Sequence, residues 1–189
     1  ALPESIPTVA GALQRAGFRT GAFVSAPVLA RRTGLARGFD TYDDRIPRTR
    51  GGAAHWEERA GPDTVTAALA WLAMQGEAPA FLFVHLFEPH RPYAPPALFA
   101  AQHPGDPYQG EVAAADAAVG QLLEGLSALN RGGRALVAVV GDHGEGLGDH
   151  GEPTHGVCLF ETTMRVPLVL WGPGFGIAGG TVERAPVSV

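Results

Sequence analysis

The run Ala80-Phe-Leu-Phe-Val-His-Leu-Phe87 is apolar at almost every position, and it constrains the fold more than any other stretch. A strand with one wet face alternates apolar and polar residues. An unbroken apolar run of this length instead marks a strand covered on both faces, as in a parallel sheet enclosed by helices. Ala135–Val140 and Val166–Trp171 read the same way, and Thr20–Ser25 is a shorter buried strand. Helical patterns separate them. Ile6–Ala16 carries Pro7 near its start, Val9, Leu13 and Ala16 along one face, and Gly17 at its end. Pro62–Gln75 has Val65, Leu69, Leu72 and Ala73 at helical spacing, with Asp63 at its cap or first turn. Glu111–Asn130 is a long amphipathic helix with Val112, Ala115, Val119, Leu122, Leu123 and Leu126 inward. A short helix covers Leu159–Met164, and residues 26–61 read as an irregular excursion with one short helix. Strands alternating with helices imply a layered α/β/α fold with a largely parallel sheet.

Composition narrows the function classes. The 189 residues are 46% hydrophobic, enough for a core. The net charge is -5 and every basic residue is Arg; without a clustered basic face, a nucleic-acid grip is disfavoured. The single cysteine, Cys158, excludes a disulfide framework. No apolar stretch reaches the roughly 18 residues of a membrane span. Neither terminus carries a start or stop signal, so both ends read as cut from a longer chain. The residues do not place the protein in a compartment, and its oligomeric state is equally unmarked.

In sheets of this kind ligands sit at the carboxyl ends of strands, and two loops there carry ionisable groups. The first is Gly141-Asp142-His143-Gly144-Glu145. A carboxylate and an imidazole on adjacent backbone positions suit one divalent cation. The competing reading is a capping Asp beside a surface His. The density of Asp142, His143, Asp149, His150 and His155 favours metal. The second loop is Glu88-Pro-His90-Arg-Pro-Tyr93, where Pro89 and Pro92 stiffen the backbone around His90. An imidazole there suits contact with an oxyanion or protonation of a leaving oxygen. Glu88 is either a partner for His90 or a solvated strand end. His85, within the strand, reads as a core imidazole bonded to a backbone carbonyl. His155, before Gly156, is either oriented on an anion or a plain loop histidine. Arg45, Arg48, Arg50 and Arg91 serve either an anionic substrate or solvation.

The segments AGFRTGAFVSAPVL, RGFDTYDD, FLFVHLFEPHRPYAPP, GEVAAADAAVGQLL, VVGDHGEGLGDHGEPTHG and RVPLVLWGPG resemble consecutive blocks of the sulfatases, members of the alkaline phosphatase-like superfamily. The resemblance runs collinearly from about Ile6 to Val189, a single partial domain over 1–189. It implies that Asp142 and His143 are metal ligands, that His90 contacts the sulfate or its leaving oxygen, and that His155 binds the oxygens of the transferred group. It also implies one divalent cation, usually Ca²⁺ with Mn²⁺ or Zn²⁺ in some members, and a formylglycine nucleophile made from Cys or Ser. That nucleophile lies in a Cys/Ser-x-Pro/Ala-x-Arg motif, which precedes the block opening here at Leu2. Ser25-Ala-Pro27 lacks the Arg, and Cys158 is followed by Leu-Phe-Glu-Thr. Two-metal members of the superfamily carry an Asp-x₃-His pair; Leu86 stands four before His90, which favours a single metal.

The resulting expectation is a parent enzyme that hydrolyses a small-molecule or glycan sulfate ester, with the isolated chain inactive. Phosphate or phosphonate ester hydrolysis and phosphoethanolamine transfer on the same scaffold are the alternative enzyme readings. A non-catalytic sulfatase-like remnant is the alternative of a different class.

Overall fold

The computed structural model describes residues 3, 5–46, 58–177, 179–183, 185 and 187. The chain divides into two compact units, residues 1–125 and 126–189. The first contains α1 (Val9–Arg15), β1 (Arg19–Val24), β2 (Thr41–Asp43), α2 (Gly61–Met74), β3 (Ala80–His85), α3 (Ala97–Gln102) and most of α4 (Pro107–Ala128). The second contains β4 (Val137–Val140), α5 (Glu161–Met164) and β5 (Leu168–Trp171).

In the first unit β1 is central, paired in parallel with β2 on one side and β3 on the other. Its two faces meet different layers. Ala22 and Val24 point into a cluster with Tyr42, Leu29, Ala36 and Phe39, and Phe39 stacks on Phe81 of β3 at 5.8 Å. Gly21 and Phe23 face α2. The Phe23 and Trp71 rings are 6.0 Å apart, and a Cβ on Gly21 would lie 2.8 Å from the Trp71 indole. Trp71 packs flat on the strand because position 21 has no side chain. The indole N–H then donates to Thr41 Oγ1 at 3.1 Å. Val24, Val65 and Ala68 are fully buried, and each such valine contributes about 1.5–3 kcal/mol relative to exposure.

Several expectations shift by a few residues, each for a local reason. The first helix starts later, because Thr8 is its N-cap and accepts from the Gly11 N–H at 3.0 Å; Pro7 precedes it. Ala10 and Gly11 are its buried residues, while Val9 is exposed, so the inward face is rotated from the one the spacing suggests. In α2, Val65 and Leu72 are buried as expected, along with Thr64 and Ala68, but Ala73 is exposed. α4 begins at Pro107 and buries Glu111, Ala114, Ala118 and Leu126, with Val112 exposed. Small residues, not the largest ones, face its neighbours. Residues 26–46 hold two single turns of 3₁₀ helix and also β2, a three-residue strand too short to show a period. Residues 47–57 of that excursion, including Arg48 and Arg50, lie outside the described residues.

The sheet differs from expectation in two respects. β3 pairs only with β1 and is half-buried, so among the described residues its apolar run is not covered on both faces. β4 and β5 form an antiparallel pair, with Val137 opposite Trp171 and Val140 opposite Leu168. No crossover helix carries the chain back to the start of β4. The loop after Val140 and the one-turn α5 return it from the same end, which makes the pair antiparallel. The short helix predicted from Leu159 is α5, beginning at Glu161.

Candidate active site

In the first unit β3 ends at His85 and leads into the proline-bordered loop carrying His90. The His90 backbone N–H donates to Glu111 Oε2 at 3.0 Å, and the Ala94 N–H donates to Oε1 at 2.7 Å. One carboxylate from α4 therefore spans the loop and fixes its width. Burial pushes the Glu111 carboxyl above its ordinary range, opposed by these two amide bonds and reinforced by the negative charge of Glu88. The His90 ring stacks on Phe87 with centroids 4.1 Å apart. Its Nδ1 lies 2.7 Å from the Arg91 carbonyl. A carbonyl only accepts, so Nδ1 carries the proton and Nε2 carries the lone pair in the neutral ring.

Glu88 resolves to neither of the roles left open for it. Its Oε1 accepts from the Gly61 N–H at 2.9 Å, at the start of α2, where Ala60 supplies no side-chain cap. A carboxylate at a helix N-terminus meets unpaired N–H groups and the positive end of the dipole. His85, at the end of β3, is half-buried, and its Nδ1 accepts from the Ser25 N–H at 3.4 Å. Ser25 Oγ in turn donates to the His85 carbonyl and shares a hydrogen bond with Thr64 Oγ1, both at 2.8 Å.

At the end of β2 lies a feature with no sequence motif. The Asp43 carboxylate, 3% exposed, takes Arg45 Nη2 at 2.7 Å and Arg59 Nη1 at 3.4 Å. Hydrogen bonding from the Arg45 side chain holds the Asp43 carboxyl below its ordinary range. Burial opposes this, while the Arg45 amide and the Arg59 charge support it. Arg45, one of the cations considered for substrate or solvation, is thus committed to an ion pair, while Arg91 is exposed.

In the second unit β4 delivers the chain to Gly141–Glu145. Asp142 Oδ1 accepts from the His143 N–H at 3.0 Å. His143 Nδ1 lies 2.9 Å from the Gly144 carbonyl and so donates to it. Its Nε2 is 3.8 Å from Asp142 Oδ1. In the neutral ring two acceptor atoms converge there, and Asp142 is 84% and His143 43% exposed. A lone-pair nitrogen beside a carboxylate oxygen is a donor set that fits a divalent cation, with Nδ1 oriented by a backbone carbonyl. No group of three or more His, Cys, Asp or Glu side chains that could hold a metal occurs among the described residues.

Close approach holds this loop against the one bearing His155. The Gly144 N–H donates to the Thr163 carbonyl and the Gly146 N–H to the Thr154 carbonyl, both at 2.8 Å. A Cβ on Gly144 would lie 2.0 Å from the Thr162 carbonyl oxygen, so only glycine fits. His155 is brought against His143, with ring centroids 4.0 Å apart and the planes tilted by 33°. Its Nδ1 lies 3.2 and 3.3 Å from the two Glu145 carboxylate oxygens. Glu152 supports the same segment, accepting from the Val157 and Cys158 N–H groups at 3.0 and 3.1 Å. Asp149 and His150 sit apart from this cluster, with His150 stacked on Phe160 at 4.4 Å. Of the dense acidic and imidazole run, the structure therefore gathers Asp142, His143, Glu145 and His155. Glu145, Glu152 and Glu111 were missed from the sequence. Their shared signal is an acidic residue in an otherwise apolar or glycine-rich setting.

The α/β architecture with its parallel sheet is shared with solved structures of the alkaline phosphatase-like fold. A Bacteroides fragilis protein named as a sulfatase matches with a TM-score of 0.74 at 16% identity, over 92% of this chain and 51% of that one. A protein solved with its substrate D-glucosamine-2-N,6-O-disulfate matches with a TM-score of 0.68 at 16% identity, over 92% and 56%. The phosphonate monoester hydrolase of Agrobacterium radiobacter matches with a TM-score of 0.69 at 17% identity, over 92% and 54%. In sequence, mouse iduronate 2-sulfatase is 37% identical over 67 residues, 35% of this chain and 12% of that protein. The family model for sulfatases matches residues 1–188. The chain belongs to the sulfatase family. It spans about half the length of the solved structures it matches.

Proposed function

We propose that the protein containing this chain hydrolyses a sulfate monoester, carried by a small molecule or a glycan, with the help of one divalent cation. The observation that carries this reading is the pairing of a sulfatase-family match over residues 1–188 with convergent acceptors on Asp142 and His143. Asp142 Oδ1 and His143 Nε2 would hold the cation, Ca²⁺ first, with Mn²⁺ or Zn²⁺ compatible with the imidazole. A bound cation neutralises the ester anion and acts as a Lewis acid, which is worth several kcal/mol at the transition state. The protein's own groups do the rest. His90, braced by Glu111 and Phe87, binds the sulfate or protonates the leaving oxygen. His155, held by Glu145, binds the oxygens of the transferred group. An acidic chain of net charge -5 offers no general attraction for an anion, so these few placed groups must supply it.

No Cys/Ser-x-Pro/Ala-x-Arg motif occurs in the 189 residues, and the chain by itself is expected to be inactive. The reading is tested on the full-length gene product with aryl sulfate and aryl phosphonate esters side by side. Cation-dependent sulfate turnover, reduced at least 100-fold in Asp142→Ala and His90→Ala, supports it. Phosphonate turnover in preference to sulfate would move the assignment to the phosphonate hydrolase reading. Undiminished turnover in Asp142→Ala would remove the metal assignment.

A further inference from the structure

We infer that Glu145 is a positioning residue for His155, and through it for His143: its buried carboxylate fixes which nitrogen of the His155 ring carries the proton. The inference rests on the anion-binding role proposed above for His155, and adds to it a group that no motif marks. The Glu145 side chain is 6% exposed. Its Oε1 accepts from the Gly146 N–H at 3.2 Å, and both oxygens face His155 Nδ1 at 3.2 and 3.3 Å. Such a carboxylate can only accept, so Nδ1 must donate. Thr154 Oγ1, 3.1 Å from the same nitrogen, can adapt because its hydroxyl both gives and takes a hydrogen bond.

Three consequences follow from that single contact. With Nδ1 committed to Glu145, Nε2 holds the lone pair in the neutral ring and is the nitrogen left to donate to the ester oxygens once the ring is protonated. The ring plane is set by two oxygens instead of one, which limits rotation about the bond to Cβ. The His143 ring, tilted 33° to that of His155 with centroids 4.0 Å apart, packs against a ring whose orientation Glu145 restrains. His143 independently places its proton on Nδ1 through the Gly144 carbonyl, so both imidazoles share one tautomer. A carboxylate orienting a working histidine through Nδ1 is a recurrent device, and its removal typically costs about 10–100-fold in metal affinity or activity.

The tautomer can be read without turnover. Full-length protein labelled with ¹⁵N-histidine is measured by long-range ¹H–¹⁵N correlation at alkaline pH, where imidazole is neutral, and His155 is assigned with His155→Asn. The expected wild-type signal is an Nδ1–H tautomer. Glu145→Gln, which preserves shape, and Glu145→Leu should both shift the population towards Nε2–H. The Gln variant should also lower kcat about 10–100-fold with KM within a few-fold. An Nε2–H tautomer in the wild type, or an unchanged tautomer in both variants, overturns the inference. If the Gln variant fails to fold, judged by circular dichroism, the wild-type spectrum alone decides. An Nδ1–H tautomer that responds to Glu145, in a protein without sulfate ester turnover, supports the positioning role and strikes only the proposed activity.

Discussion

Carboxylates buried beside backbone amides recur at every functional loop of this chain. Glu111 spans the His90 loop, Glu145 orients His155, and Glu152 ties the residues that follow it. Glu111 and Glu145 exchange water contacts for fixed protein partners, which offsets the cost of burying a carboxylate. Glu152 bonds through Oε1 alone and leaves Oε2 buried without a partner among the described residues. Asp43 belongs to the same class but pairs with guanidinium groups. Its carboxyl lies below the ordinary range because of the Arg45 hydrogen bond. The sign of the pH effect follows. A depressed folded-state value means the stabilisation is complete above the unfolded value, roughly pH 4, and is lost as pH falls through the folded value. Thermal melts between neutral pH and strong acid should therefore show wild type and Asp43→Asn diverging at neutral pH and converging in acid. Parallel curves at all pH values would contradict the pairing.

At the level of elements, the loops after β3 and β4 carry the residues proposed for the reaction, and the helices and turns hold them in place. The Gly144 contact is the tightest point of the second unit, with 2.0 Å between a would-be Cβ and the Thr162 oxygen. Gly144→Ala cannot be absorbed by a rotamer change, since the obstacle is backbone. It should cost about 1–3 kcal/mol, as overpacking does, and it should separate the Asp142–His143 segment from the His155 segment. Urea titration of wild type and variant measures the first effect. An unchanged unfolding midpoint would show that the loops are not held by this contact.

For the whole molecule, His90 belongs to the unit of residues 1–125, and Asp142, His143 and His155 to the unit of residues 126–189. Cation binding at the proposed ligands Asp142 and His143 should stabilise the fold that presents them in the full-length protein. At a free concentration of 100 times Kd the gain is about 2.7 kcal/mol. Scanning calorimetry of the full-length protein should show Tm rising with added Ca²⁺ or Mn²⁺, and Asp142→Ala should abolish the rise. An equal rise in that variant would place the cation elsewhere. This test needs no substrate and therefore separates the metal assignment from the chemistry.

By itself the sequence determined the α/β class, four of the described helices within a few residues, every described strand except β2, and the loops where ionisable groups emerge. Those properties follow from local periodicity and from glycine and proline, which act over a few residues. Its blocks also determined the family. Tertiary structure decided what depends on contacts between distant positions. β2 is legible only because β1 pairs with it, and the antiparallel return of β5 depends on how a loop folds back. Glu88 became a helix cap only through Gly61, some 27 positions away. The supporting roles of Glu111 and Glu145 were hidden for the same reason. A buried acid carries no period, and its meaning is set by whichever donor the fold brings within 3 Å.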